Sequence, residues 1–154
     1  MISIQNIAQT VISYFPSFAD GAIAWILLGL RLIWGIILLN YSYPMIQKPF
    51  TWMNRPGKPP SRFPPLLQLL GAIAIFGGGL AIITGFLTPL AGLGLAGAML
   101  IACALHLVHG VPFAKPSPVA PGPSYDDSLL YLAISLVFVF LGSGTLSLDY
   151  LLFG

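Results

Sequence analysis

An arginine stands inside an apolar run of the chain, where a charged side chain needs a reason. Arg31 lies six residues after Trp25 in the run Trp25–Tyr43. At the centre of a membrane helix an arginine costs about 2.5–3.5 kcal/mol on insertion scales, so it requires compensation. The face of Trp34 is one candidate partner, with the guanidinium reaching toward the interface, and the carboxylate of Asp149 is another. The residues leave open whether such a group clamps the fold or contacts a ligand.

A second set of reactive side chains combines histidines with acidic residues. Cys103, His106 and His109 are spaced at i, i+3 and i+6, and Asp126 and Asp127 begin the next apolar run. Imidazoles with a carboxylate can bind a metal or deliver protons to a redox ligand. They can equally be hydrated groups near a membrane interface. We expect no metal site, and the other two interpretations stay open.

Several classes of function are excluded because their residues are missing. Cys103 is the one cysteine, which rules out an internal disulfide, a CxxC redox pair and a four-cysteine cluster. Serine hydrolase, zinc protease, Walker and Rossmann motifs do not occur in the sequence. A net charge of +2 gives no reason to expect nucleic acid as a partner. Redox chemistry would therefore depend on an organic cofactor or a partner chain.

The composition indicates which kind of fold positions these polar side chains. Of 154 residues, 57% are hydrophobic and 6% are charged, and the mean hydropathy is +0.93. Soluble domains carry about 25% charged residues, so most of this surface must face lipid. We therefore predict an all-α transmembrane four-helix bundle that forms one domain over residues 1–154.

Apolar runs and prolines divide the chain into spans and loops. The predicted spans cover about residues 22–43, 66–86, 90–109 and 126–143, and proline-rich loops cover 44–65 and 110–125. Helical spacing of apolar residues in 1–18 predicts an N-terminal interfacial amphipathic segment. Small residues predict close packing of the second and third spans, in particular Gly77–Gly79 in the second and Gly94, Ala98 and Ala102 in the third.

The basic residues predict the orientation. All but Arg31 lie in the two proline-rich loops: Lys48, Arg55, Lys58, Arg62 and Lys115. Because cytoplasmic loops carry an excess of lysine and arginine, we expect these loops to be cytoplasmic and both termini to lie outside.

Several of these stretches together resemble the DoxX family of small bacterial membrane proteins. They are RLIWG at residues 31–35, GGGLAIITGFLT at 77–88, the start of the fourth span at 125–127, and GSGTLSLD at 142–149. The resemblance implies a four-helix bundle in a prokaryotic inner membrane. Family members include a membrane subunit associated with thiosulfate:quinone oxidoreductase and membrane partners of redox-defence proteins. The family's marked polar residues correspond to Arg31 and Ser147–Asp149.

The sequence hypothesis is thus a quinone-associated subunit, or partner of a redox complex, without a complete active site of its own. A quinone would lie between the helices, and five residues are candidates for contacting it: Arg31, Trp34, His106, His109 and Asp149. The alternatives are an assembly subunit of a larger membrane complex and a small-solute carrier formed by a homodimer. Lipid is the expected environment in each case.

Overall fold

The architecture is a set of helices joined by short turns and two longer loops. The computed structural model describes residues 17–54, 61, 63–115, 117 and 124–154. The helices are α1 (Gly21–Gln47), α2 (Pro65–Thr84), α3 (Thr88–Val108), α4 (Asp126–Leu141) and α5 (Leu148–Phe153). No strand occurs within the described ranges. The predicted amphipathic segment at 1–18 lies almost wholly outside them.

Three helices are long and apolar enough to cross a membrane. They are α1, α2 and α3, with 27, 20 and 21 residues. Their outward faces carry large apolar side chains, for example Ile26 and Leu100, which is the surface expected against lipid. The fourth helix, α4, has 16 residues and reaches about 24 Å at 1.5 Å per residue. The chain is an all-helical integral membrane protein.

The first helix is longer than predicted, because it passes through a proline. The sequence places the loop from Pro44 onward, whereas α1 continues to Gln47. Proline lacks the N–H that would bond the carbonyl four residues earlier, and this usually breaks a helix. Pro44 has no N–H to bond the Asn40 carbonyl, and α1 ends at Gln47, three residues later. Ser42 also donates to the Leu38 carbonyl at 2.6 Å, within the turn before the proline.

A buried glutamine ties the first proline-rich loop to the start of α2. Gln68 is 2% exposed. Its backbone carbonyl accepts from Trp52 Nε1 at 2.9 Å, and its Oε1 accepts from the Met53 N–H at 3.2 Å. Its Nε2 donates to the Phe63 carbonyl at 2.9 Å. This role of Gln68 was not predictable from hydropathy, because a single uncharged amide barely alters the hydropathy of the span.

Glycines allow close approach at three helix interfaces, including the predicted pair, where a Cβ atom placed on Gly78 of α2 would lie 2.8 Å from Leu95 Cγ of α3. A Cβ atom placed on Gly35 of α1 would lie 3.1 Å from the Gly79 carbonyl oxygen of α2. One placed on Gly92 of α3 would lie 3.0 Å from the Ser135 carbonyl oxygen of α4. The α1–α2 and α3–α4 interfaces are accordingly more extensive than α2–α3. Gly94 has open space beside it, so the predicted small-residue stripe of α3 does not form the tightest contact.

An aromatic pair joins α1 to α4 across the core. The rings of Trp34 and Phe138 stack with centroids 5.5 Å apart and planes 15° apart. Both side chains are buried, together with Leu38, Ile82 and Leu95 from three different helices. The stack places Trp34 in the bundle interior rather than at the interface.

The two glycines of α1 provide a matched test of this packing. We expect Gly35→Leu to lower the free energy of unfolding by about 1–3 kcal/mol, because the side chain would overpack the contact with α2. Gly29 has open space around it, so Gly29→Leu should change stability by less than about 0.5 kcal/mol. Unfolding in mixed micelles of a mild and a denaturing detergent measures both. Equal effects would contradict a close α1–α2 contact at Gly35.

Candidate functional site

The turn between α2 and α3 has a backbone that needs outside support. Gly85 ends α2 in the left-handed region, at φ 68°, and Leu87 is also left-handed, at φ 47°. A residue with a Cβ disfavours this region by about 1–2 kcal/mol. Leu87 is also the N-cap residue of α3, where it has no side-chain oxygen to accept the first free N–H groups of the helix.

Asp149 supplies the missing acceptor from the far end of the chain. Its two carboxylate oxygens accept from the backbone N–H groups of Leu87 at 2.5 Å and Thr88 at 2.8 Å. Its own N–H donates to the Gly85 carbonyl at 2.8 Å. The carboxylate is fully buried and lies where the dipole of α3 favours a negative charge. Asp149 is therefore the cap of α3 and fixes the turn.

Arg31 is enclosed by the same turn and the C-terminal tail, residues 142–154. It is fully buried, and its Nη2 donates to the Leu146 carbonyl. Its Nη1 lies so close to Gly85 that a Cβ atom there would overlap it, and Ser147 borders the same position. The guanidinium therefore lies at the α2–α3 turn, where two of the long helices end. The ring of Trp34 stacks on Phe138.

Arg31 and Asp149 lie at the same end of the bundle, as predicted, but they do not bond each other directly. The carboxylate attracts the guanidinium electrostatically, but the two groups form no ion pair, since the carboxylate is bonded to Leu87 and Thr88. Each residue instead binds backbone groups of another segment. Arg31 fastens α1 to the tail, and Asp149 fastens the tail to the α2–α3 turn.

Further hydrogen bonds fold the tail back over the start of α1. The Thr145 N–H donates to the Ala19 carbonyl at 2.9 Å. Ser147 Oγ donates to Ser143 Oγ at 2.9 Å and accepts from the Tyr150 N–H at 3.2 Å, which caps α5. Gly144 has φ 75° and packs against Ala19 and Ala24. The tail is thus a folded part of the bundle.

Several buried polar atoms at this end have no hydrogen-bond partner. They are Nε and Nη1 of Arg31, Nε1 of Trp34 and Oγ1 of Thr88. Arg31, Trp34 and Thr88 are each no more than 1% exposed. Buried polar groups are normally hydrogen-bonded, so this concentration sets the Arg31 end apart from the rest of the described core.

The histidine end does not form the cluster that the spacing suggested. His109 is exposed, and its Nδ1 lies 2.6 Å from the Leu105 carbonyl oxygen of its own helix. His106 is half-buried, with Nδ1 unpartnered. Among the described residues no group of three or more potential ligands could hold a metal ion.

The acidic pair near the histidines lines a separate cleft. Asp126 and Asp127 border a cavity of about 250 Å³ together with Ala114, Lys115 and Ser124, and neither histidine lines it. The Asp126 N–H donates to the Phe113 carbonyl at 3.0 Å. That bond ties the start of α4 to the segment after α3.

Gly85 and Thr88 were not predicted as members of the Arg31 site. In the sequence, Thr88 before Pro89 is itself a suitable N-cap residue, so no outside acceptor was expected for the first N–H groups of this helix. The structure instead begins α3 at Thr88 with Leu87 as the N-cap, and those N–H groups need an acceptor from elsewhere in the chain. Nothing in the sequence could indicate the role of the Leu146 carbonyl, since every residue carries a backbone carbonyl.

We expect Arg31→Ala and Asp149→Ala each to destabilise the protein by about 3–5 kcal/mol, because each leaves a buried charge without its compensation. The double variant should lose clearly less than the sum, since both residues hold one tail. Asp127→Ala, at an exposed carboxylate, is the control and should cost less than about 0.5 kcal/mol. Unfolding in mixed micelles gives all four values. Additive losses would show that the two residues act independently.

The family of the chain follows from comparison with known proteins. A family model described as DoxX matches residues 26–110, which include Arg31, Trp34, the α2–α3 turn and both histidines. The tail with Asp149 lies beyond the match. No curated protein and no solved structure matches the chain. Since the matched range covers more than half of the 154 residues, the chain belongs to the DoxX family.

Proposed function

We propose that the protein is a membrane subunit that associates with a quinone and works as the partner of a redox complex. The observation that carries the proposal is Arg31, which is fully buried among apolar helices with two of its three nitrogens unpartnered. A lipid-soluble carbonyl compound dissolves in the bilayer around the bundle, and its oxygens are hydrogen-bond acceptors that suit these nitrogens.

The partner must supply the electrons, because the chain offers little redox chemistry of its own. Its one thiol, Cys103, is buried, and the described residues hold no metal-binding group. The protein therefore contributes a binding place and an anchor in lipid, without a complete active site.

The proposal includes four membrane crossings in a prokaryotic inner membrane. In this proposed topology α4 also crosses the membrane, with Asp126 and Asp127 on the cytoplasmic side beside the proline-rich loops. The tail then lies on the opposite side, together with the start of α1. The supporting observations are the apolar outer faces of the helices and the position of the basic loop residues.

Cysteine labelling tests this topology. In a Cys103→Ala background, Lys115→Cys should react with a membrane-impermeant maleimide in inverted vesicles, and Tyr150→Cys should react in right-side-out vesicles. Both positions are exposed. Labelling of both from the same side would show that α4 does not cross.

Gentle extraction tests quinone association. We expect the protein to retain quinone, seen by native mass spectrometry of the complex from its own membrane. Added short-chain quinone should raise the melting temperature, with about 2.7 kcal/mol of stabilisation at 100 times the Kd. A stoichiometric larger complex without quinone would overturn the proposal and favour an assembly subunit.

A further inference from the structure

We infer that the quinone head group binds at the Arg31 end of the bundle, with one carbonyl oxygen held by Arg31 and Thr88, and that the tail covers this place. The inference rests on the proposed function and specifies its site. It assigns binding roles to Thr88 and to the tail, which the sequence hypothesis did not include.

The chemistry of the unpartnered atoms defines what the guest must offer. Nε and Nη1 of Arg31 and Nε1 of Trp34 can only donate hydrogen bonds, and Oγ1 of Thr88 can donate one. Leaving such groups unsatisfied costs about 1–3 kcal/mol each. A guest that satisfies them must carry acceptors, and a carbonyl oxygen is one.

The charge balance favours a neutral guest. Asp149 and Arg31 are both fully buried and interact electrostatically. An anionic guest would be placed near the carboxylate and a cationic one near the guanidinium, in surroundings of low dielectric where repulsion is strong. A quinone in its oxidised form carries no charge.

The neighbouring wall is flat and aromatic. Trp34 is one turn beyond Arg31 on α1, and its ring stacks on Phe138. Thr88 is one turn before Gly92, which packs on Ser135 of α4, one turn before Phe138. Along their helices Arg31 and Thr88 therefore lie about one turn from the level of an aromatic stack, and aromatic surfaces suit a planar ring.

The first part of the tail covers the nitrogens that the guest would bond. The Leu146 oxygen accepts from Arg31 Nη2, and Ser147 and Gly85 lie against Nη1. Arg31 is fully buried, so a ring can reach Nε and Nη1 only when residues 142–147 move. Gly142 and Gly144, at φ 66° and 75°, connect the tail to α4 and provide backbone freedom for that movement. Asp149 stays bonded to the α2–α3 turn and keeps its charge near Arg31.

The histidine end is a weaker place for the same guest. His109 Nδ1 already lies against the Leu105 carbonyl, and the ring is exposed. His106 offers one unpartnered nitrogen, compared with four unpartnered atoms at the Arg31 end.

Fluorescence of Trp34 in the full chain tests the site. With Trp25→Phe and Trp52→Phe, Trp34 is the one remaining tryptophan, and the protein is titrated with decylubiquinone in lipid nanodiscs. We expect saturable quenching, and at least tenfold weaker apparent binding for Thr88→Val. This variant should keep its melting temperature, because Thr88 Oγ1 has no partner to lose.

Thr84→Val is the matched control, since Thr84 is exposed and bonds the carbonyls of its own helix. It should bind as the parent does. Undiminished binding by Thr88→Val, or quenching that rises linearly with quinone in lipid, would overturn the site. If quinone is retained by the protein while Trp34 is not saturably quenched, the site is wrong and the proposed function stands. If no quinone is retained, the proposed function itself fails.

Hydrogen exchange tests whether the tail covers the proposed binding place. Decylubiquinone should speed amide exchange in a peptide spanning residues 142–147, at the N–H group of Thr145, and leave exchange at the Asp149 N–H unchanged. The Thr88→Val variant should show a smaller change at the same quinone concentration. Exchange at Thr145 that is unchanged or slower with quinone would overturn the role of the tail.

Discussion

The carboxylate of Asp149, bonded to two backbone N–H groups at the start of α3, is the interaction on which the rest of this structure depends. In lipid no water replaces a lost acceptor, so free N–H groups at a helix start must be satisfied by the protein. The same carboxylate fixes the α2–α3 turn, fastens the tail and opposes the charge of Arg31. The side chain of Asp149 therefore links the tail to Leu87 and Thr88, which lie 62 and 61 residues earlier in the sequence.

Arg31 shows how a bundle with few charged residues can bury one of them. A carboxylate bonded directly to the Arg31 guanidinium would occupy two of its N–H donors. Here the carboxylate is engaged with the backbone, and Arg31 keeps most of its donors unused. The arrangement neutralises the charge without saturating the hydrogen bonds. A polar centre that is balanced in charge and incomplete in hydrogen bonding is suited to a neutral ligand with acceptor atoms.

The sequence predicted the general fold and the pair of residues at its centre. Hydropathy located the three long helices, and the scarcity of charge left Asp149 as the natural counterpart of Arg31. It did not predict that Asp149 would bond Leu87 and Thr88, because backbone N–H groups leave no trace in residue identity. The glycine contacts of α1 with α2 were missed because composition does not show which face of a helix a glycine occupies. The continuation through Pro44 depends on its place in the last turn, which the sequence alone does not define.

The separation of Asp149 from the turn that it caps affects the order in which the protein can assemble. Chains are made from the N-terminus, and the hairpin of α2 and α3 is complete long before residue 149 exists. Until then the disfavoured backbone conformation of Leu87 lacks the carboxylate acceptor that stabilises it. The hairpin can reach its final geometry only after the tail has been synthesised and delivered to the same side of the membrane. A chain interrupted before that point lacks the acceptor for the turn and the anion that balances Arg31.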